Sequence, residues 1–282
     1  MISQKIPTQF ELPKCENPLV SIVIPVYNQY AYTHACVYSI LEHTSRNIPY
    51  EVLILDDYST DETRTIEDRI KNITVYRNLE NLGFLRNCNA YISEARGKYV
   101  FLLNNDTEVT NGWLEATLSA LEDKKVGLTT SCVLNPDGTI QAAGWMLSNE
   151  GKNCPVGMDG SPLFLQNKVF EVSLAYGCAM VFGKADWEKL NGFDEAFMPA
   201  YCEESDFSMR IRHRLKKKVV CVGNSRIFHY GGASYSATTT AQKGTKLFQE
   251  HWKKFQNRWK NEIENDEMSE DDVRQYLENI IQ

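Results

Sequence analysis

Eight cysteines are present, yet no two form a CxxC pair and no run has the spacing of a zinc site. They stand singly at 15, 36, 88, 132, 154, 178, 202 and 221. No charged segment followed by an apolar one opens the sequence, so a secretory leader is not expected. Free thiols in a reducing cytoplasm are the simplest account. No window approaches about eighteen uninterrupted apolar residues, which excludes a spanning helix. Internal repeats and low-complexity tracts are missing. Basic charge is in short supply. Lys and Arg total 30 against 37 Asp and Glu, a net charge of −7. That balance disfavours non-specific nucleic-acid binding, so no nucleic-acid partner is expected.

What is present suits one large α/β domain with extensions. The chain has 282 residues and is 43% hydrophobic, enough for a substantial core. Pro7, Pro13 and Pro18 mark residues 1–18 as an irregular lead-in. Strands are expected over Leu19–Pro25, Glu51–Leu55, Ile73–Tyr76 and Tyr99–Leu103. Between them fall helices over Tyr32–His43, from the caps Ser59-Thr60-Asp61-Glu62 to about Ile70, and from the turn Asn81-Leu82-Gly83 to Ala95. Gly97 is the expected stop of the last. This alternation predicts a mostly parallel sheet flanked by helices. Trp113–Leu121 is a further helix and Val126–Val133 a further strand, followed by the turn Asn135-Pro136-Asp137-Gly138. Residues 145–170 lack clean periodicity and are expected to form a loop or an excursion over the acceptor side. Val172–Phe182 should be a strand under close packing. Phe207, Ile211 and Leu215 mark an amphipathic helix, and Val219–Val222 and Arg226–His229 two short extended pieces. The main domain is placed at 19–240 and a helical extension at 241–282. In the latter, Phe248, Trp252, Phe255, Trp259 and Ile263 form one helix face. Docking of that face onto the domain is the preferred expectation. The basic residues of 243–260 keep a peripheral contact with anionic lipid open.

Several polar clusters stand where apolar runs end. Leu102-Leu103-Asn104-Asn105-Asp106-Thr107 closes a buried-strand pattern, and open α/β sheets place ligands at the carboxyl ends of strands. Mg²⁺ takes oxygen ligands, often one or two carboxylates plus phosphate oxygens, so Asp106 alone is chemically sufficient. An Asx-turn is the plain alternative. Gly83 and Asn89 are expected to converge on the same edge. The first strand ends in Pro25-Val26-Tyr27-Asn28. Pro25 stiffens the backbone, Tyr27 offers an aromatic face, and Asn28 carries a donor and an acceptor. Its plain alternative is a core strand with a turn. Asp56-Asp57 suits helix capping, yet Ser59, Thr60 and Asp61 already supply caps. A carboxylate here can accept the N3–H of a pyrimidine base.

Glu203-Glu204-Ser205-Asp206 opens a helix. The carboxylates either compensate the helix dipole or provide a general base whose pKa is raised by crowded like charges. His229 lies between an apolar run and the Gly231-Gly232 turn, where it can reach a metal or a diphosphate. A lone histidine is more often structural.

Taken in order, Val20–Asn28, Leu53–Asp61, Asn81–Asp106, Asn191–Glu195, Glu203–Arg212 and His229 resemble family 2 glycosyltransferases. The resemblance covers roughly residues 19–234. It implies a GT-A fold with a nucleotide-binding half at about 19–110 and an acceptor half at about 111–240. It also implies an inverting sugar transfer from a UDP- or dTDP-linked donor to a hydroxyl of a glycan or lipid-linked glycan, assisted by Mg²⁺ or Mn²⁺. By that analogy Asp57 contacts the base, with Pro25, Tyr27, Asn28 and Asn89 also on the donor. Asn104 and Asn105 lie near the ribose, Asp106 holds the metal, His229 supports the metal or the diphosphate, and Glu204 is the base, with Glu203 or Asp206 able to share the role. Two departures stand out: one carboxylate of the family's DxD motif is the amide Asn104, and the base position holds Glu204 where Asp is usual. Leu-Asn-Asn-Asp-Thr-Glu and His-Tyr-Gly-Gly-Ala-Ser are most similar to bacterial surface-polysaccharide enzymes, including rhamnosyltransferases. The expected location is the cytoplasm, with the inner face of the cytoplasmic membrane left open. A non-catalytic nucleotide-sugar-binding or scaffold module is the rival reading. A nucleotidyltransferase fits less well, because no glycine-rich basic loop follows the first strand.

Overall fold

The run Val20–Val26 is buried at every position, as is Tyr50–Asp56. Strands buried on both faces require cover on both sides, and helices provide it. The computed structural model describes residues 6–231 and 238–281, with side chains of the second segment from 244 onward. Strand β1 (Phe10–Glu11) precedes β2 (Val20–Val26), α1 (Tyr30–His43) and β3 (Tyr50–Asp56). Then come β4 (Ile70–Lys71), which pairs with β1, β5 (Thr74–Arg77), α2 (Phe84–Tyr91) and β6 (Tyr99–Leu103). The second half continues with β7 (Thr107–Val109), α3 (Trp113–Ala120), β8 (Val126–Leu134) and β9 (Ile140–Ala142). A hairpin, β10 (Trp145–Leu147) with β11 (Asn153–Pro155), leads to β12 (Val169–Glu171), β13 (Ala179–Gly183) and α4 (Lys184–Leu190). Helix α5 (Glu203–His213) and β14 (Lys218–His229) complete the sheet region, and α6 (Thr238–Arg258), α7 (Lys260–Asp266) and α8 (Glu270–Ile281) follow.

The main sheet runs β12-β14-β8-β13-β6-β2-β3-β5, with β7 added on β14 and β9 on β8. Strands β6, β2, β3 and β5 are mutually parallel. Strand β13 is antiparallel to both β6 and β8, and β14 is parallel to β8. One rim therefore gathers the carboxyl ends of β2, β3, β6, β8 and β14 and the start of β13. Alternate strand residues feed two apolar layers. Leu102 and Phe182 pack with Leu85, Trp187 and Phe207 on one face. Phe101 and Val181 pack with Ile40 and Trp113 on the other.

Several local expectations are corrected. Glu62–Asp68 is 3-10 helix with a break at Thr65, and Ile70 belongs to a strand because it pairs with Phe10. Helix α2 stops at Tyr91, and Gly97 is no left-handed stop. A Cβ there would lie 2.5 Å from the Ser21 backbone N, so it permits a close chain crossing. Within 172–182 only Ala179 onward is strand. Residues 145–170 hold a hairpin, a 3-10 turn and part of β12 rather than a plain loop. The two short pieces at 219–229 are one strand, with a register shift between Val222 and Arg226.

The aromatic stripe docks from its middle onward. Phe255, Trp259 and Ile263 are buried in the same layer as Phe207, whereas Phe248 is 40% exposed. Among the basic residues there, Arg258 pairs with Asp194 and Asp206, and Lys254 bonds to the Ala196 carbonyl. Among the described residues, no helix is long and apolar enough to cross a membrane. All eight cysteines are free thiols.

Candidate active site

At the β2–β3 end of the rim, polar side chains are already tied to one another. Pro25 is buried, Tyr27 is 46% exposed, and Asn28 and Gln29 adopt left-handed φ of 57° and 63°. Asn28 Oδ1 accepts from the Thr60 and Asp61 backbone N–H groups at 2.7 and 3.3 Å, joining the ends of β2 and β3. Asp57 accepts from Asn78 Nδ2 at 2.8 Å and from the Leu82 and Gly83 N–H groups at 2.8 and 2.9 Å. It thus shapes the turn in which Gly83 takes φ 80°. Asn105 donates to Thr33 Oγ1 at 3.0 Å, and the Asn104 backbone N–H donates to the Cys178 carbonyl at 2.9 Å. That last bond ties the end of β6 to the start of β13.

Asp106 and His229 meet because β14 ends beside β7. Thr107 pairs with His229 in the ladder, and the Tyr230 N–H donates to the Asp106 carbonyl at 2.9 Å. Asp106 Oδ1 lies 3.2 Å from His229 Nε2, with both residues more than nine-tenths buried. His229 Nδ1 is 2.7 Å from Gln141 Oε1, which also accepts from the Tyr176 hydroxyl at 3.1 Å. Sequence reasoning missed Gln141 and Tyr176. The only local hint was the strong turn at 135–138 just before Gln141.

The Glu203-Glu204 turn is reached through a strained backbone. Tyr201 and Cys202 both take left-handed φ, 77° and 68°, immediately before α5. Glu203 is buried and its Oε2 has no partner among the described residues. Burial, and then the Glu204 charge, push the Glu203 carboxyl well above the usual range. Burial also raises the Glu204 carboxyl, although hydrogen bonds from backbone at Glu204 and Ser205 oppose this. A Cβ at Gly177 would lie 3.0 Å from Glu204 Cγ, so glycine leaves the room that Glu204 occupies. Tyr176 and Cys178, on either side of Gly177, are both raised chiefly by burial and further by the charges of Asp106 and Glu204. The segment 176–178 thus borders both parts of the site, with the Tyr176 ring 6.2 Å from that of His229 and Gly177 against Glu204. On the other flank, Glu203 and Asp57 both add to the raised pKa of the buried Cys88 thiol.

Two expected site residues are committed elsewhere. Asn89 donates to the Phe193 carbonyl and accepts from its N–H, both at 2.8 Å, so its amide clamps the 191–193 turn. Asp206 is fully buried, with Oδ2 on Arg210 at 2.7 Å and Oδ1 on Arg258 and the Trp259 indole, each at 3.0 Å. It fastens α5 to the C-terminal helices and is not placed to act as a base. Gly232–Ser234, part of the motif around His229, lie outside the described residues.

Asp106 and His229 form a donor set that a divalent cation can use. Among the described residues, no three His, Cys, Asp or Glu side chains group around a metal position. Two protein ligands completed by phosphate oxygens suit Mg²⁺ or Mn²⁺ chemistry, in which much of the shell belongs to substrate or water.

This geometry can be set beside known proteins. The chain is 27% identical over 252 residues to the O-antigen biosynthesis protein RfbC of Myxococcus xanthus, covering 84% of this chain and 19% of that protein. It is 30% identical over 186 residues to the chondroitin synthase of Escherichia coli, covering 65% and 25%. The chain thus spans about a quarter or less of the length of these two relatives. A solved structure of GalNAc-T7 with UDP, GalNAc and Mn²⁺ superposes with a TM-score of 0.62 at 19% identity, covering 76% of this chain and 44% of that one. The fold is GT-A, with a mostly parallel sheet and C-terminal helices. The Glycosyl transferase family 2 model matches residues 21–170, a segment that ends before Glu203 and His229. That match takes in more than half of the sequence, and the chain belongs to glycosyl transferase family 2.

Proposed function

We propose that the chain transfers a sugar from a UDP- or dTDP-linked donor to a hydroxyl of a bacterial surface glycan, free or lipid-linked, with inversion at the anomeric carbon. One observation carries this reading: the Asp106–His229 pair and Glu204 both border the 176–178 segment, through Tyr176 and Gly177 respectively. The O-antigen and chondroitin relatives support a glycan acceptor, and the UDP and Mn²⁺ of the GalNAc-T7 structure support a nucleotide donor with a metal.

In this reading the nucleotide lies along Pro25, Tyr27, Asn28 and Asp57. The oxygens of Asp57 keep acceptor capacity beyond the bonds that shape the turn. Asn104 and Asn105 flank the ribose. Glu204 accepts the proton of the acceptor hydroxyl as its oxygen attacks the anomeric carbon. The bond to the diphosphate breaks on the opposite face, and its electron pair leaves with the diphosphate. Asp106 and His229 would hold a divalent cation, which when bound supplies positive charge beside the leaving diphosphate. Glu203, buried and raised in pKa, stays protonated and so limits the repulsion on Glu204.

The test is a thermal-shift panel of UDP-, dTDP- and GDP-sugars with and without Mn²⁺, on the wild type and Asp106→Ala. Stabilisation by one donor in the presence of Mn²⁺, lost in the variant while the unliganded melting temperature holds, is the expected result. A donor that binds equally well to both proteins refutes the role of Asp106. Donor binding without transfer or donor hydrolysis, across a broad acceptor panel, favours the scaffold alternative.

A further inference from the structure

The side chain that sets His229 for its task comes from a different part of the fold. Gln141 lies on β9, 88 positions away in sequence. Its amide has one workable orientation. Nε2 faces Asn135 Oδ1 at 3.1 Å and the His229 carbonyl oxygen at 3.4 Å. The carbonyl can only accept, so the NH₂ end belongs there. Asn135 is itself held, because its Nδ2 donates to Thr139 Oγ1 at 3.0 Å, and that hydroxyl donates to Asp137 at 2.7 Å. The turn Asn135–Gly138 thus anchors the donor end of Gln141. The acceptor end, Oε1, is left facing His229 Nδ1 at 2.7 Å and the Tyr176 hydroxyl at 3.1 Å.

An acceptor at that distance requires the proton of His229 to sit on Nδ1. The lone pair of the neutral ring is then on Nε2, the atom 3.2 Å from Asp106 Oδ1. A bare lone pair facing a carboxylate is repulsive, and a shared cation turns that contact into an attraction. A metal-binding histidine commonly donates its other ring N–H to a fixed acceptor, which sets both tautomer and ring orientation. Here the acceptor is an amide whose direction is dictated by a carbonyl and a turn.

We propose that Gln141 is a positioning residue: through Nδ1 it holds His229 in the tautomer that presents Nε2, together with Asp106, to a divalent cation. This inference rests on the metal role given above to Asp106 and His229. It adds a residue that lies within the family-matched segment yet outside every motif singled out in the sequence.

The test measures Mn²⁺ binding directly, by electron paramagnetic resonance of free Mn²⁺. It uses UDP, dTDP or GDP, whichever stabilises the wild type. The proteins are the wild type, Gln141→Leu, Gln141→Glu and His229→Ala, each with its melting temperature. Leucine keeps the volume and removes the acceptor, so Mn²⁺ affinity should fall on the order of 10–100-fold. Glutamate keeps an oxygen on Nδ1, and its second oxygen is met when Asn135 turns its amide over and the Thr139 hydroxyl swings its proton from Asp137 to Asn135 Oδ1. Its affinity should stay within a few-fold of wild type. Wild-type affinity in Gln141→Leu overturns the proposal. So does an equal loss in the leucine and glutamate variants, which marks a packing role alone. If His229→Ala also binds Mn²⁺ like the wild type, or the wild type binds none, the metal reading falls and this inference falls with it. A loss in His229→Ala without one in Gln141→Leu sinks the inference alone.

Discussion

At the end of β3, Asp56 and Asp57 receive hydrogen bonds from the Ser59, Leu82 and Gly83 backbone and from Asn78, and Asp56 adds an ion pair with Arg77. At the start of α5, Glu203 has an oxygen with no partner among the described residues, and both Glu203 and Glu204 are raised in pKa. The two acidic turns look alike in sequence. The first is well supplied with donors and holds loops in shape. The second is raised chiefly by burial, and a raised carboxylate pKa is what suits such a group to act as a base near neutral pH. Asp206 repeats the contrast within one helix: two residues from Glu204, it is fully engaged by Arg210, Arg258 and Trp259.

The sharpest way to break that comparison is Glu204→Gln. It should lower kcat by roughly 10²–10⁴-fold while leaving the donor-induced thermal shift intact. Because the base must be ionised and its pKa is raised above 4.5, the wild-type rate should fall as pH drops through that raised value. An unchanged rate in the variant would move the base elsewhere.

Next in size is Asp206→Ala. It strands the Arg210 guanidinium, whose side chain is 2% exposed, and breaking such a buried pair costs about 3–5 kcal/mol. Urea unfolding should show that loss, and a neutral result would remove the structural role assigned to Asp206. The smallest effect belongs to Glu203→Gln. The folded state raises the Glu203 pKa, so it holds a proton that the unfolded chain gives up near 4.5. Stability attached to this group is fully present below 4.5 and is lost as pH rises towards the folded value. The variant should therefore melt higher than wild type at pH 8, with the gap closing at pH 4. A constant gap across that range contradicts the assignment.

Much of the frame was legible because its causes are local. The apolar runs of β2, β3 and β6, and the polar residues that end them, follow from a chain leaving a buried strand for a solvated rim. The four-residue steps of Phe255, Trp259 and Ile263 marked the docked face of the last helices. Gly97 was misjudged as a helix stop because the Ser21 backbone that crosses it is 76 positions away. Val172–Phe182 was extended too far because its first half bonds to Trp145, Thr130 and Val219 rather than to one neighbouring strand.

From the order of its residues alone, this chain specifies alternating strands and helices and the polar groups at their ends, since periodicity and turn chemistry act over a few residues. Which polar atoms remain free was decided in three dimensions. Asn89 is consumed by Phe193 and Asp206 by the C-terminal helices, while Gln141 and Tyr176 arrive beside His229. The physical reason is that a hydrogen bond satisfies a group wherever its partner sits in the chain, and these partners lie 35 to 104 positions apart.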